Sequence, residues 1–207
     1  MAGDDLIGRI ESRLLRVPDE ATAADLKPDW QPELPHTRPP VEAAVLIGIV
    51  ERESGLSVLY TQRSPDLRSH SGQIAFPGGK IDPEDASVAE AALREAWEEV
   101  DLQREDARVL GYLPRYFTGS NYLITPVVAL VRPQRPFVAN PSEVSSAFEV
   151  PLGWLIDERN YGTYRLMRNG YEHTTPQIQH GQWTIWGITA NITRRFHDMA
   201  LRGEVAW

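Results

Sequence analysis

The chain has 207 residues, 42% of them hydrophobic and 24% charged, with a net charge of −8 and no cysteine. That length fits one domain, or one domain with appendages, and is enough to bury a sizeable core. The acidic balance argues against a general nucleic-acid or membrane-surface binder while still permitting an anionic substrate, and the absence of cysteine excludes disulfides, thiolate zinc sites and cysteine nucleophiles.

The opening stretch MAGDDLIGRIESRLL is too acidic and too interrupted for a signal peptide, and no run of about 18 apolar residues is present to span a bilayer. The closing EVAW is not a peroxisomal address. A cytoplasmic enzyme or binding domain is the expectation. Leu6, Ile7, Ile10, Leu14 and Leu15 recur at helical spacing after Asp4 or Asp5 as a cap, which predicts a short amphipathic helix. Residues 28–40 hold five prolines and read as an extended linker or a wrapping arm. Residues 1–40 are therefore set apart from a main domain over 41–207. Helix and arm would either cap that domain or contribute to a homodimer interface.

The main domain opens with two strand-like runs, VEAAVLIGIV and LSVLYT, joined by a turn at Glu53-Ser54-Gly55. A short strand is expected over Gln73–Phe76, and others at VLGYL (109–113), LITPVVALV (123–131), FEVPL (148–152) and TIWGI (184–188). Helices are expected over 87–100 and 189–201. Strands mixed with a few helices, without regular alternation, indicate an α/β fold with a mixed sheet flanked by helices.

Within ALREAWEEVDL, Glu95, Glu98 and Glu99 fall within five residues. With Glu95 set at 0°, a helical advance of about 100° per residue places Glu99 near ~40° and Glu98 near ~300°. Ala89, Leu93, Ala96, Trp97 and Val100 fall on the other side and are expected to face the core. Like charges at this spacing repel. A solvated acidic face would account for the stripe, but the lead-in FPGGKIDPEDAS adds two glycines that permit close approach and acids near the positive end of the helix. Asp82, Asp85 and Ser87 are all candidate caps. Such an all-oxygen set suits Mg²⁺ or Mn²⁺, which would remove the repulsion and bridge to phosphates. Arg94 lies one turn before Glu98 and is expected to hold that carboxylate. Upstream, Arg63 and Arg68 stand in a polar loop, where guanidinium groups can bind phosphate through paired contacts.

The run from Gly79 through Asp85 to Arg94-Glu95-Ala96-Trp97-Glu98-Glu99-Val100-Asp101-Leu102 resembles a Nudix box. It departs from the usual box in three ways: Asp85 replaces a Glu, eight residues rather than seven precede Arg94, and Asp101 replaces a Gly. The first two departures resemble the coenzyme A diphosphatase branch. So does the upstream pattern of Thr61, Arg63-Ser64, Leu67-Arg68, Gly72-Gln73 and Phe76-Pro77-Gly78-Gly79. A looser likeness through ITPVVALV, NPSEVSSAFEVPLGWL and IWGITANIT extends it over roughly residues 40 to 200. A glycine at position 101 would suit a left-handed helix end, and Asp tolerates that conformation at modest cost.

The resemblance implies a Nudix-type α/β/α sandwich and hydrolysis of the coenzyme A or acyl-coenzyme A pyrophosphate to 4′-phosphopantetheine and 3′,5′-ADP. It implies divalent metal on Glu95, Glu98, Glu99 and the Gly79 carbonyl, with Glu95 and Glu99 leading. Glu98 would be a ligand or water activator, and Arg94 would support both. Because the base is not fixed to one position in such enzymes, Glu143, in a loop before FEVPL, is a further catalytic candidate. Arg63, Arg68 and Gly78 are assigned to substrate, the arginines to its phosphates.

Other signals are weaker. The five histidines lack paired zinc spacing and read as surface or hydrogen-bonding residues. Trp183 or Trp186 could stack on a nucleotide, but Trp186 sits in an apolar run that favours core packing. Ser120-Asn121-Tyr122 reads as a loop. The alternatives to a coenzyme A enzyme are a Nudix hydrolase for another nucleoside diphosphate derivative such as ADP-ribose, and a non-catalytic Nudix-fold ligand sensor. The 61–79 pattern weighs against the first and the intact acidic stripe against the second.

Overall fold

Strand β1 (Val41–Arg52) organises the molecule. Its alternation sends Ala43, Ile47 and Ile49 to one hydrophobic cluster and Ala44, Leu46 and Val50 to another. A strand covered on both faces needs apolar residues on both, which is why it reads as a nearly continuous apolar run. The computed structural model describes residues 2–30, 32, 34–66, 71–168 and 170–204.

One edge of β1 pairs in parallel with β7 (Tyr122–Val131) over ten residues, from Val41 opposite Tyr122 to Val50 opposite Val131. The other edge is shared. Residues 49–52 pair with β2 (Gly55–Arg63) through a two-residue turn at Glu53-Ser54, whereas residues 43–45 pair with β4 (Gly78–Lys80). β2 diverges at this point to pair with β3 (Ile74–Ala75) and β8 (Val144–Pro151). β5 (Ala107–Tyr112) and β6 (Tyr116–Phe117) line the far side of β7. All pairings in this eight-stranded sheet except β1–β7 are antiparallel, so the sheet is mixed.

Helix α2 (Val88–Val100) covers one face through Ala89, Ala92, Leu93, Ala96 and Val100. The other face is covered by α1 (Ala2–Arg13), α3 (Leu152–Ile156) and α4 (Gly187–Phe196), which bring Leu6, Ile10, Leu155, Ile192 and Phe196 to one cluster. Burying each such side chain is worth about 1.5–3 kcal/mol. A small antiparallel sheet of β9 (Tyr161–Arg168), β10 (Tyr171–His180) and β11 (Trp183–Ile185) packs on this side. The buried Tyr60 hydroxyl meets Thr193 Oγ1 at 3.0 Å, and Thr189 Oγ1 donates to the Ile74 carbonyl at 2.8 Å, tying α4 to β2 and β3.

The proline-rich segment is a wrapping arm rather than a free linker. Asp29 accepts from the Gly119 N–H at 2.7 Å, His36 meets the Gly119 carbonyl at 3.0 Å, and Asn121 Nδ2 donates to the Arg38 carbonyl at 3.1 Å. No helix among the described residues is long and apolar enough to cross a membrane.

Several expectations need correction. The β9–β10 hairpin lies outside the expected strands, because polar and apolar residues mix on both of its faces and give no alternation. The TIWGI strand stops at Ile185, and the following helix starts at Gly187 and ends in a wider π turn over His197–Leu201. FEVPL is the end of a strand that begins at Val144, and Leu152 already belongs to α3. Gly78-Gly79, in the lead-in to the acidic helix, lies in a strand. Trp97, expected in the core, is 55% exposed, whereas Glu99, expected on the open face, is only 3% exposed. Trp186 is half-buried and stacks on Tyr164 at 4.7 Å, and Trp183 stacks on Phe148 at 4.2 Å.

Candidate active site

Helix α2 carries the acidic stripe and is fixed at both ends. Ser87 is the N-cap, its hydroxyl accepting from the Glu90 N–H at 3.2 Å. Asp101 ends the helix in the left-handed conformation, with φ 56° and ψ 32°, as the missing glycine suggested. Asp85 is not the cap. It receives Nε and Nη2 of Arg94 at 2.9 and 3.0 Å, a paired contact that holds the Asp85 carboxyl below its ordinary pKa.

Arg94 is the hub of the network. Besides Asp85, it donates to Glu95 Oε1 at 3.0 Å, to both Glu98 oxygens at 3.4 Å and to the Lys80 carbonyl at 3.1 Å. One guanidinium thus links the lead-in loop, strand β4 and the helix.

Glu95, Glu99 and Glu143 each offer a carboxylate oxygen, and these atoms lie within 4.8 Å of one another. Glu143 sits in the loop directly before β8, where sequence placed it, and its carbonyl accepts from the Ser64 N–H at 2.9 Å. Glu99 is the most buried of the three. Its Oε2 is buried and has no hydrogen-bond partner. Burial pushes the Glu99 carboxyl up to about 8; Glu95 and Glu143 add to the rise, and the Arg63 charge and the Gly78 N–H oppose it. Burial also raises Glu95, against the pull of Arg94.

The two glycines are needed for this approach. A Cβ on Gly79 would stand 2.5 Å from the Glu95 carboxylate, and one on Gly78, at φ +156°, would stand 2.4 Å from the Ala44 carbonyl oxygen. Arg63, the last residue of β2, is half-buried near Glu99, with its Nε buried and unbonded. Glu98 is not among the three converging carboxylates; it stays beside Arg94 with its side chain 36% exposed. Arg68 lies outside the described residues.

Three converging oxygen donors, one with a buried oxygen lacking any partner, fit a hard divalent cation of the Mg²⁺ or Mn²⁺ type. A second grouping among the described residues, Glu158, His197 and Asp198, already has Arg194 within 3.7 Å of Glu158 and 3.1 Å of Asp198, so a guanidinium bridges its two carboxylates. Asn140, which bonds both α2 and Glu143, was not singled out from sequence; the Asn-Pro dipeptide at 140–141 signals only a turn.

The NUDIX domain family matches residues 40–169. Two curated relatives, each named uncharacterized Nudix hydrolase NudL, are from Escherichia coli (strain SMS-3-5 / SECEC) and Shigella boydii serotype 18 (strain CDC 3083-94 / BS512). Each is 45% identical over 154 residues, which is 74% of this chain and 79% of the relative. A solved Nudix hydrolase structure from M. smegmatis, RenU, is 22% identical with a TM-score of 0.46, covering 55% of this chain and 72% of that one. With the matched domain spanning the box, the acidic helix and the mixed sheet between helical layers, the chain belongs to the Nudix hydrolases and has the Nudix α/β/α sandwich fold.

Proposed function

We propose that this Nudix hydrolase cleaves the pyrophosphate of coenzyme A or an acyl-coenzyme A, giving 4′-phosphopantetheine and 3′,5′-ADP. The observation that carries the reading is the convergence of Glu95, Glu99 and Glu143, with the unpartnered Glu99 oxygen, beside Arg63 from the segment that resembles coenzyme A diphosphatases. Glu95, Glu99 and Glu143 would hold the divalent cation, with the Gly79 carbonyl as a further ligand by resemblance. A Mg²⁺ or Mn²⁺ ion held there would supply charge neutralisation to a pyrophosphate and a lowered pKa to an attacking water.

The chain's own groups do the rest. Arg63 and Arg68 bind phosphate oxygens, including the 3′-phosphate that distinguishes coenzyme A from dephospho-coenzyme A. Gly78, also assigned to substrate, would offer only its backbone there, because the space a Cβ would need is filled by Ala44 and Val45 of β1. Arg94 keeps Glu95 and Glu98 in place. Glu98, more exposed than Glu95 and Glu99 and held only by long contacts, takes the proton as water oxygen bonds to one phosphorus and the bridging oxygen departs with the other.

The test is mass spectrometry of coenzyme A incubated with protein and Mg²⁺ or Mn²⁺, beside Glu99→Gln and beside ADP-ribose. Expected are 4′-phosphopantetheine and 3′,5′-ADP with wild type and metal only. Cleavage of ADP-ribose instead would overturn the substrate, and binding without cleavage would point to a sensor. In parallel, Arg63→Ala and Arg68→Ala should erode the preference for coenzyme A over dephospho-coenzyme A; an unchanged preference would remove the phosphate assignment.

A further inference from the structure

The last carbonyls of a helix have no donors within it. In α2, those of Ala96 and Trp97 take the N–H groups of Leu102 at 3.4 Å and Asp101 at 2.9 Å. The next three are satisfied by a loop some forty residues away. Asn140 Nδ2 donates to the Glu98 carbonyl at 3.2 Å, the Asn140 N–H to that of Glu99 at 2.9 Å, and the Val138 N–H to that of Val100 at 3.0 Å.

Asn140 then turns toward the site. Its second amide hydrogen reaches Glu143 Oε1 at 3.4 Å. Its Oδ1 accepts from the Ser142 N–H at 3.2 Å and from the Ser142 hydroxyl at 2.7 Å. Its carbonyl accepts from the N–H groups of Glu143 at 3.0 Å and Val144 at 2.9 Å. The partners also fix the orientation of the amide, because both groups facing Nδ2 are acceptors and the Ser142 N–H can only donate.

Glu95 and Glu99 ride on the helix, whereas Glu143 comes from the loop. Three carboxylates repel, and without restraint the loop-borne one would turn toward water. We propose that Asn140 is a positioning residue that couples Glu143 to the end of α2 and so completes the three-carboxylate set before any cation arrives. This inference rests on the reading of Glu95, Glu99 and Glu143 as cation ligands.

The test is a double-mutant cycle read by Mn²⁺ affinity, measured from the free-ion electron paramagnetic resonance signal, in wild type, Asn140→Ala, Glu143→Gln and the double variant. Thermal unfolding in EDTA checks that each variant is folded. If Asn140→Ala does not fold, Asn140→Asp replaces it; that variant removes the donor, keeps the acceptors and adds a negative charge that would strengthen cation binding if charge alone mattered. Asn140→Ala is expected to weaken Mn²⁺ binding roughly tenfold in the wild-type background and less than about twofold when Glu143 is already Gln. An equal loss in both backgrounds, or no loss while Glu143→Gln itself weakens binding, would overturn the role of Asn140 and leave the site intact. If Glu143→Gln leaves Mn²⁺ affinity unchanged, the ligand reading fails and the inference falls with it.

Discussion

A buried carboxylate with an oxygen that meets no partner is stable inside a protein only if it is protonated or paired with a cation. Glu99 is in that position, pushed up to about 8 by burial. Without cation, the folded chain keeps a proton on Glu99 between about 4.5 and 8 that the unfolded chain has released. Folding therefore binds a proton in that window, and stability from this group is lost as pH rises through it. In EDTA the thermal midpoint of wild type should fall between about pH 5 and 8 more steeply than that of Glu99→Gln; parallel curves would contradict the burial argument. By the same logic, Mn²⁺ binding near pH 7 should expel a proton, seen as a dependence of the calorimetric heat on buffer ionisation enthalpy that Glu99→Gln abolishes. Arg94 makes a different prediction. Its planar fork meets Asp85 twice while also reaching Glu95 and Glu98, and a lysine cannot reproduce that geometry. Arg94→Lys should lower hydrolysis by about 10–100-fold at unchanged net charge; full activity would show that charge alone suffices.

At the scale of elements, α2 depends on its ends. Ser87→Ala should cost about 1 kcal/mol through the lost cap, read by urea unfolding. Asp101→Val should cost roughly 1–2 kcal/mol, because a β-branched residue resists the left-handed conformation that Asp accepts. Both ends of α2 were legible in sequence, since a capping serine and a residue in place of glycine are local signals. Strands β1, β2 and β7 were legible for the same reason, as long apolar runs bounded by turns. The β9–β10 hairpin was not, because strands with polar residues on both faces lack the period-two pattern, although Asn169-Gly170 is a hairpin dipeptide. The sides of α2 were only partly legible. A helical wheel separates apolar from acidic positions, but it does not show that the site lies between helix and sheet, which buries Glu99 and leaves Trp97 outside. Glu143 could be named from sequence as a candidate, yet its meeting with Glu95 and Glu99 depends on a loop contact across more than forty residues, and Asn140 makes that contact.

At the scale of the molecule, the proposed boundary at residue 40 makes its own test. Leu6, Ile7, Ile10 and Leu14 are buried in the same cluster as Ile47 and Phe196, and Arg9 and Arg13 hold Glu204 from across the chain at 2.8 and 3.1 Å. Ile10→Ala should cost about 2–5 kcal/mol, a large share of the roughly 5–15 kcal/mol that holds a typical domain together. A chain lacking residues 1–40 should lose cooperative unfolding or melt far below the full chain. A truncated chain with an unchanged midpoint would show that 41–207 folds by itself.

The shared edge of β1 has a mechanical consequence. Since β2 and β4 leave the same edge, they form the two prongs of a fork, and the Leu46 N–H bonded to the Pro77 carbonyl at 2.8 Å closes its crotch. Arg63 ends one prong and Gly78 opens the other. The backbone positions from which Arg63 and Gly78 face the site are thus set by how β2 and β4 leave β1. If the proposed function holds, a pyrophosphate would meet a jaw whose two sides are anchored in the sheet.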